Sequence, residues 1–344
     1  MAKQVLVIKL GSAVITNSAG NINKAVIKKI TADISHLSKQ YKIVLVSSGA
    51  VSSGKKYLKD YRGTLLQRKA AAAIGNPILI QLYRSYFQKH GLTAAQALCE
   101  RGHFSNRKQF LQLKETFTTF WQNNIIPIVN ENDVISNLEL KFSDNDELAT
   151  LMAVGFDADT LILCTSVGGL LDASKNIIAE VSAINKETLA LVSNEKSDVG
   201  LGGMLSKLTF TRLATSLGIK VIMCGLQNKK PFAEALAGKA GTHFTAQKST
   251  LKNRQKWLAS GSITLGNIYV DKGAAKALQG RKSLLTVGVT KVDGNFTAGE
   301  VVQVMGEENN ILGVAKTKLS ATDLRKNLKE KNVIAAHAND IVLL

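Results

Sequence analysis

No stretch of the chain approaches the roughly 18 consecutive apolar residues of a membrane-spanning helix, so a role in the membrane is not expected. The opening MAKQVLVIKLGS has the pattern of a first strand rather than of a secretory leader. Cysteine is scarce. Cys99, Cys164 and Cys224 are far apart, odd in number and set among apolar neighbours. They fit small core residues in a reducing cytoplasm better than disulfides, ligands or nucleophiles. Histidine is scattered over His36, His90, His103, His243 and His337, with no convincing Ser-His arrangement and no candidate metal centre. Internal repeats and low-complexity tracts are also missing.

What is present suits an ordinary globular protein. The length, 344 residues, suggests two domains, and 45% apolar with 20% charged residues is a usual balance. The net charge of +18 points towards nucleic acid, but its distribution does not. Residues 260–344 hold 11 Lys/Arg against 8 Asp/Glu, and residues 1–259 hold 33 against 18, spread over many helix faces. The local maximum, residues 229–256, has seven basic residues and one acid. A solvated basic surface favouring anionic substrates explains this as well as RNA does.

Along the chain, apolar runs at 4–8, 42–46, 93–98, 125–129, 160–164 and 220–224 predict strands. Segments with helical spacing lie between them, among them 27–37, 65–74, 77–90, 110–123, 148–154 and 204–217. The alternation predicts a three-layer α/β sandwich with a mostly parallel sheet, its site formed by loops at the strands' C-terminal ends. Near residue 258 the character changes to short β segments at 263–270, 283–289, 300–304 and 311–316. Gly-containing turns such as Asp293-Gly294 separate them. The expected domains are 1–258 and 259–344, the second a small β-barrel-like unit.

Residues 126–153 are the most informative. The 125–129 strand ends in Asn130-Glu131-Asn132-Asp133, and Ser143-Asp144-Asn145-Asp146-Glu147 precedes a helix. Ser143 with Asp146, or Asp144 with Glu147, fits a capping box. The alternation of asparagine with aspartate in both clusters better suits a pocket for a small polar substrate bearing an ammonium group. Two glycine-rich stretches compete for phosphate. Gly49 to Lys56, GAVSSGKK, has a phosphate-loop skeleton, but it ends in lysine where a Ser or Thr hydroxyl is needed. Gly200 to Lys207, GLGGMLSK, precedes a helix start that attracts anions, and Lys207 adds a point charge. Lys9 ends the first strand, placed to share a crevice with the Ser47-Ser48-Gly49 loop.

VIKLGS, SSGAVSSG, IPIVNENDVI, KFSDNDELA and GGMLSK together resemble the amino acid kinase family over nearly the whole chain. NEND followed by DND is the specific part and is closest to the glutamate-phosphorylating branch, which opens proline biosynthesis. The tail, from LGNIYVDKGAAKAL through VDGNF and AGEVVQV, resembles a PUA domain, often appended to bacterial members of that branch. The resemblance implies transfer of a phosphoryl group from ATP, with Mg²⁺, to the γ-carboxylate of L-glutamate. Lys9 and Lys207 would then hold the transferring group and Asp146 would organise them. Ser48, Asp133 and Asn145 would bind glutamate, with Asn130 in support. Gly11, Thr165, Ser166 and residues Leu201, Gly202, Gly203, Met204, Leu205, Ser206 and Lys207 would line the nucleotide site. No metal-ligating side chains are assigned.

The implied partners are a second copy of the chain, as dimer or tetramer, and a glutamyl phosphate reductase receiving the labile product. This chain departs from the family at Thr165-Ser166 (usually Thr-Asp), at Leu171 (usually tyrosine) and at Leu201 (usually threonine). Those positions bear on nucleotide affinity. Gln112-Leu113-Lys114 stands where a loop resembling Asn-Ala-Arg is usual, which bears on feedback by proline. The competing expectations are an RNA-binding protein acting through the tail and the basic band Lys248, Lys252, Arg254 and Lys256, and a kinase for another amino-acid carboxylate. The tail lacks an arginine-rich or aromatic-interleaved stripe, so RNA is the weaker partner.

Overall fold

The computed structural model describes residues 3–17, 19–105, 107–135, 144–192, 203–247, 266–307 and 310–343. The chain divides into two compact units, Met1–Glu100 with Leu111–Ser249, and Arg101–Phe110 with Thr250–Leu344. The junction expected near 258 lies outside the described residues.

The first unit is built on β1 (Gln4–Leu10), β2 (Tyr41–Ser47), β3 (Thr93–Cys99), β4 (Ile125–Glu131), β5 (Thr160–Cys164), β6 (Glu180–Val181), β7 (Lys220–Cys224) and β8 (Thr242–Phe244). They form one sheet in the order β3-β4-β2-β1-β5-β7-β8-β6. Every neighbouring pair is parallel except β7 with β8. The central strands are buried apolar runs, Leu6-Val7-Ile8 and Ile43-Val44-Leu45-Val46 among them, as expected for strands covered on both faces.

Among the described residues, the helices between positions 12 and 236 are α1 (Ser12–Ile15), α2 (Lys24–Leu37), α3 (Ala50–Gly54), α4 (Leu65–Phe87), α5 (Arg101–Ser105, in the second unit), α6 (Arg107–Gln122), α7 (Asn145–Gly155), α8 (Lys186–Ala190), α9 (Met204–Ser216) and α10 (Pro231–Leu236). Helix α7 is buried at every position from Asp146 to Gly155 and packs on β1, β2, β4, β5 and α9. Its continuous apolar run marks a helix enclosed on all sides.

Two features differ from the sequence expectation. Pro77 does not divide the helix, and α4 runs unbroken through it from a Thr64–Gln67 capping box. An internal proline costs about 3 kcal/mol, and burial of Leu79, Tyr83 and Phe87, at about 1.5–3 kcal/mol each, outweighs it. The second is that β6 and α8, absent from the expected strands and helices, lie between β5 and β7.

The GAVSSGKK stretch forms α3 and the turn after it, and Gly54 serves packing. A Cβ there would lie 1.9 Å from the Ala71 carbonyl oxygen, and one on Gly75 would lie 1.7 Å from that of Ala50. Two small-residue faces thus let α3 and α4 cross backbone to backbone.

The second unit holds β9 (Gly266–Val270), β10 (Leu284–Leu285), β11 (Val289–Gly294), β12 (Val301–Met305), β13 (Ile311–Lys316), β14 (Ile334–Ala336) and β15 (Ile341–Leu343). Five of these strands form a small sheet, β11-β9-β12-β13-β15, and β10 pairs with β14. Ile268, Val292, Val302, Val304 and Leu324 are in its core. Asp293 and Gly294, expected as a turn, are instead the last residues of β11, paired with Asn267 and Gly266, and do not join β11 to β12 as a hairpin. β12 instead runs parallel to β9, a pairing that needs a longer crossover than a two-residue turn.

Candidate active site

Strand β1 is central, and the chain leaves its two neighbours in opposite directions along the sheet, β2 towards β4 and β5 towards β7. The crevice outside the carboxyl ends of β1 and β5 is therefore a topological switch point, where open α/β sheets bind ligands. Lys9 stands at its edge, in register with Val46 of β2 and Leu163 of β5. Only 4% of it is exposed, an unusual place for a lysine unless it is paired.

Its partner is Asp146, in the first turn of α7. The Lys9 Nζ lies 2.6 Å from Asp146 Oδ1, and the Lys207 Nζ, from the start of α9, donates to Asp146 Oδ2 at 2.7 Å. The first contact has the distance of a charge-assisted bond, although Oδ1 accepts no well-directed hydrogen bond. Asp146 is wholly buried. Burial alone would push its carboxyl up, but Lys9 and Lys207 outweigh that and hold it below the ordinary value of 3.8.

The residues before Asp146 each have a separate task. Asp144 is the helix cap, its Oδ1 accepting from the N–H groups of Asp146 and Glu147. Its Oδ2 accepts from Ser206 Oγ at 2.6 Å, joining the first turns of α7 and α9. Capping thus explains Asp144 and not Asp146. Asn145 Nδ2 donates to Ser48 Oγ at 2.9 Å and to Asn130 Oδ1 at 3.1 Å.

Ser48 is held by its own N–H, which donates to the Leu10 carbonyl at 3.0 Å, so the end of β1 and the loop after β2 meet as expected. The next residue, Gly49, has φ +106° and takes the chain into α3. A side chain there would be strained and would meet Ile15 and Ile22. Asp133 lies half-buried in the turn after β4.

On the other side of Lys9, an ideal Cβ on Gly11 would lie 3.6 Å from the Lys9 ammonium nitrogen. Glycine keeps that approach open. Thr165, at the end of β5, is buried, and its Oγ1 accepts from the Gly168 N–H at 2.9 Å. Its hydroxyl orders the following turn, while Ser166 is exposed. Gly203 caps α9 without a side-chain hydrogen bond, so the helix start offers its N–H groups to an anion. Met204 and Ser206 are half-buried there and Leu205 is 55% exposed. Leu201 and Gly202 lie outside the described residues.

The structure thus brings together Lys9, Lys207, Asp146, Ser48, Asn130 and Asn145 from elements far apart in sequence. A groove of about 610 Å³ beside α3 and α4, lined by Lys24, Ser53, Lys56 and Leu82 among others, shares no residue with this cluster. The three cysteines are buried and free. Burial pushes the Cys99 thiol up to about 12 and Cys164 also upward, so both are inert core groups near neutral pH. Two residues of α4 escaped sequence reasoning. Asn76 Oδ1 accepts from Asn130 Nδ2 at 3.1 Å, and Tyr83 OH lies 2.8 Å from Ser47 Oγ. The available signal was a polar Asn76 inside a stripe of Ala72, Leu79 and Tyr83 at helical spacing.

Comparison with known proteins agrees with this architecture. Residues 4–225 match the amino acid kinase family and residues 266–337 the PUA domain. A protein of Bacillus cereus (strain ATCC 10987 / NRS 248) named "Glutamate 5-kinase" is 36% identical over 338 residues, covering 95% of this chain and 92% of its own. One of the same name from Thermotoga maritima is 34% identical over 325 residues, 93% of this chain and 90% of its own. Among solved structures, carbamate kinase from Giardia lamblia bound to AMP-PNP superposes with a TM-score of 0.53 at 18% identity. That match covers 72% of this chain and 99% of the other, and it speaks to the fold alone. The chain belongs to the amino acid kinase family and carries a PUA domain at residues 266–337.

Proposed function

We propose that the chain transfers the γ-phosphoryl group of ATP to the γ-carboxylate of L-glutamate, giving ADP and L-glutamyl 5-phosphate, the first step of proline biosynthesis. The observation that carries the phosphoryl-transfer reading is the convergence of Lys9 and Lys207 on one buried carboxylate, Asp146. The relatives named "Glutamate 5-kinase", matched along nine-tenths of their length, support glutamate as the acceptor.

A γ-carboxylate with an ordinary pKa near ~4.3 is ionised at neutral pH and needs no general base. Its oxygen attacks the γ-phosphorus, the bond to the β-phosphate oxygen breaks, and ADP leaves with the electron pair. The protein must align two anions and offset their repulsion. Lys9 and Lys207 supply positive charge to the equatorial oxygens. Asp146 keeps both ammonium groups in place and acts as a brace rather than as a base. The N–H groups at the start of α9 face the phosphates, with residues 201–206, Gly11, Thr165 and Ser166 lining the nucleotide. Mg²⁺ brought with ATP would supply further positive charge beside Lys9 and Lys207 and offset part of the phosphate charge.

Ser48, Asn145 and Asp133 hold glutamate, and Asn130 holds Asn145. In this reading residues 1–258 form the catalytic domain and 259–344 the PUA domain. The enzyme works in the cytoplasm as a homo-oligomer and passes its reactive acyl phosphate to a glutamyl phosphate reductase. The test is ADP release, coupled to NADH oxidation, with glutamate, aspartate and N-acetylglutamate compared side by side. Turnover dependent on glutamate is expected, and a preference for either alternative would overturn the substrate assignment.

A further inference from the structure

The amides behind the glutamate site form a chain with only one workable polarity. The Glu131 backbone N–H donates to Asn130 Oδ1 at 2.9 Å, and a backbone donor cannot reverse. Asn130 must therefore present its oxygen on that side, where it also receives Asn145 Nδ2 at 3.1 Å. Its own Nδ2 then points the other way, to Asn76 Oδ1 at 3.1 Å. Asn76 and Asn130 are each 6% exposed, so solvent is a poor substitute for that acceptor.

The consequence reaches the site two amides later. Asn145 spends both N–H bonds on Asn130 and on Ser48 Oγ, which leaves its Oδ1 as an acceptor. Ser48 Oγ, already accepting, has its hydroxyl proton left to donate. An outward acceptor beside an outward donor suits the ammonium and carboxylate of an amino acid.

We infer that Asn76, on α4, is a positioning residue for glutamate: its carbonyl oxygen sets the orientation of Asn130 and through it the polarity that Asn145 and Ser48 present to the substrate. Tyr83, two turns further along α4, reaches Ser47 beside Ser48, so one helix supports both walls of the pocket. This inference rests on the glutamate reading given above.

The experiment is steady-state kinetics of Asn76→Leu, which keeps the branched heavy-atom skeleton and removes the acceptor, with Asn76→Ala as the second variant and Asn76→Asp as the conservative one. Thermal unfolding establishes that each is folded. The expected result is a rise of about tenfold or more in the KM for glutamate in the leucine and alanine variants, with the KM for ATP within about twofold of wild type. Asn76→Asp, whose carboxyl oxygen can accept from Asn130, recovers most of the glutamate affinity.

A parallel rise in both KM values, an unchanged glutamate KM, or no recovery with aspartate would overturn the inference. Failure of both the leucine and alanine variants to fold would also overturn it, by assigning Asn76 to the fold alone. Absence of glutamate-dependent turnover in the wild-type protein would instead refute the proposed function.

Discussion

Lys9 and Lys207 stand 198 positions apart in the chain and share the two oxygens of Asp146. Ammonium groups held in a water-poor crevice stabilise developing charge without having to reorganise. Replacing either lysine by alanine is expected to lower kcat by about 10²–10³, the equivalent of ~3–4 kcal/mol, measured by ADP release at saturating glutamate and ATP. Near-normal turnover in both variants would remove the assignment. Asp133→Ala should act differently, raising the glutamate KM more than it lowers kcat, because its proposed task, holding the substrate's ammonium group, is binding shared by ground and transition states. A defect confined to kcat would show that this role is wrong.

Among the elements, α4 contributes most that local sequence conceals. It crosses α3 with Gly54 against Ala71 and Gly75 against Ala50, and a methyl group at either glycine has no room. Gly54→Ala should therefore destabilise the fold by about 1–3 kcal/mol, the usual range for overpacking, visible as a lowered Tm. An unchanged Tm would mean that α3 can move off α4 freely. The start of α10 shows a second long-range device. Asp33, on α2, accepts from the N–H groups of Phe232 and Ala233 through Oδ2, a helix cap supplied from 199 positions away. Asp33→Ala should lower stability by about 0.5–2 kcal/mol, as the loss of a cap does, and urea unfolding would measure it.

The whole molecule feels Asp146 through pH. Its folded-state pKa lies below the ordinary 3.8, so the stability it contributes is complete above that value and is lost as pH falls below it. Asp146→Asn should be less stable than wild type by about 3–5 kcal/mol at neutral pH, the range for breaking a buried ion pair. The gap should narrow as the pH is lowered below the ordinary aspartate value. A gap that stays constant between pH 7 and pH 2 would mean that Asp146 is not charged in the folded protein. Among the described residues, no helix is long and apolar enough to cross a membrane. The PUA match covers residues 266–337, and the tail over 260–344 holds 11 basic against 8 acidic residues. Gel shifts with tRNA at ~50 mM salt are expected to show no complex at micromolar protein, since few phosphate-neutralising groups are gathered there.

The sequence by itself determined the six longer strands of the first unit, the alternation that makes a parallel sheet, the change of character in the tail, and the residue types of the site, but not the short strands β6 and β8. Apolar periodicity and the NEND and DND clusters are local properties, legible without coordinates. Resemblance to a known family connected Lys9 with Lys207. Only the tertiary structure decided which acid caps a helix and which one braces the lysines, because Asp144, Asn145 and Asp146 are neighbours whose directions diverge around the first turn of α7. It also decided the fates of Asn76, Tyr83 and Asp33. Each looks like an ordinary helical residue, and its hydrogen-bond partner is chosen by packing between elements that the chain order keeps apart.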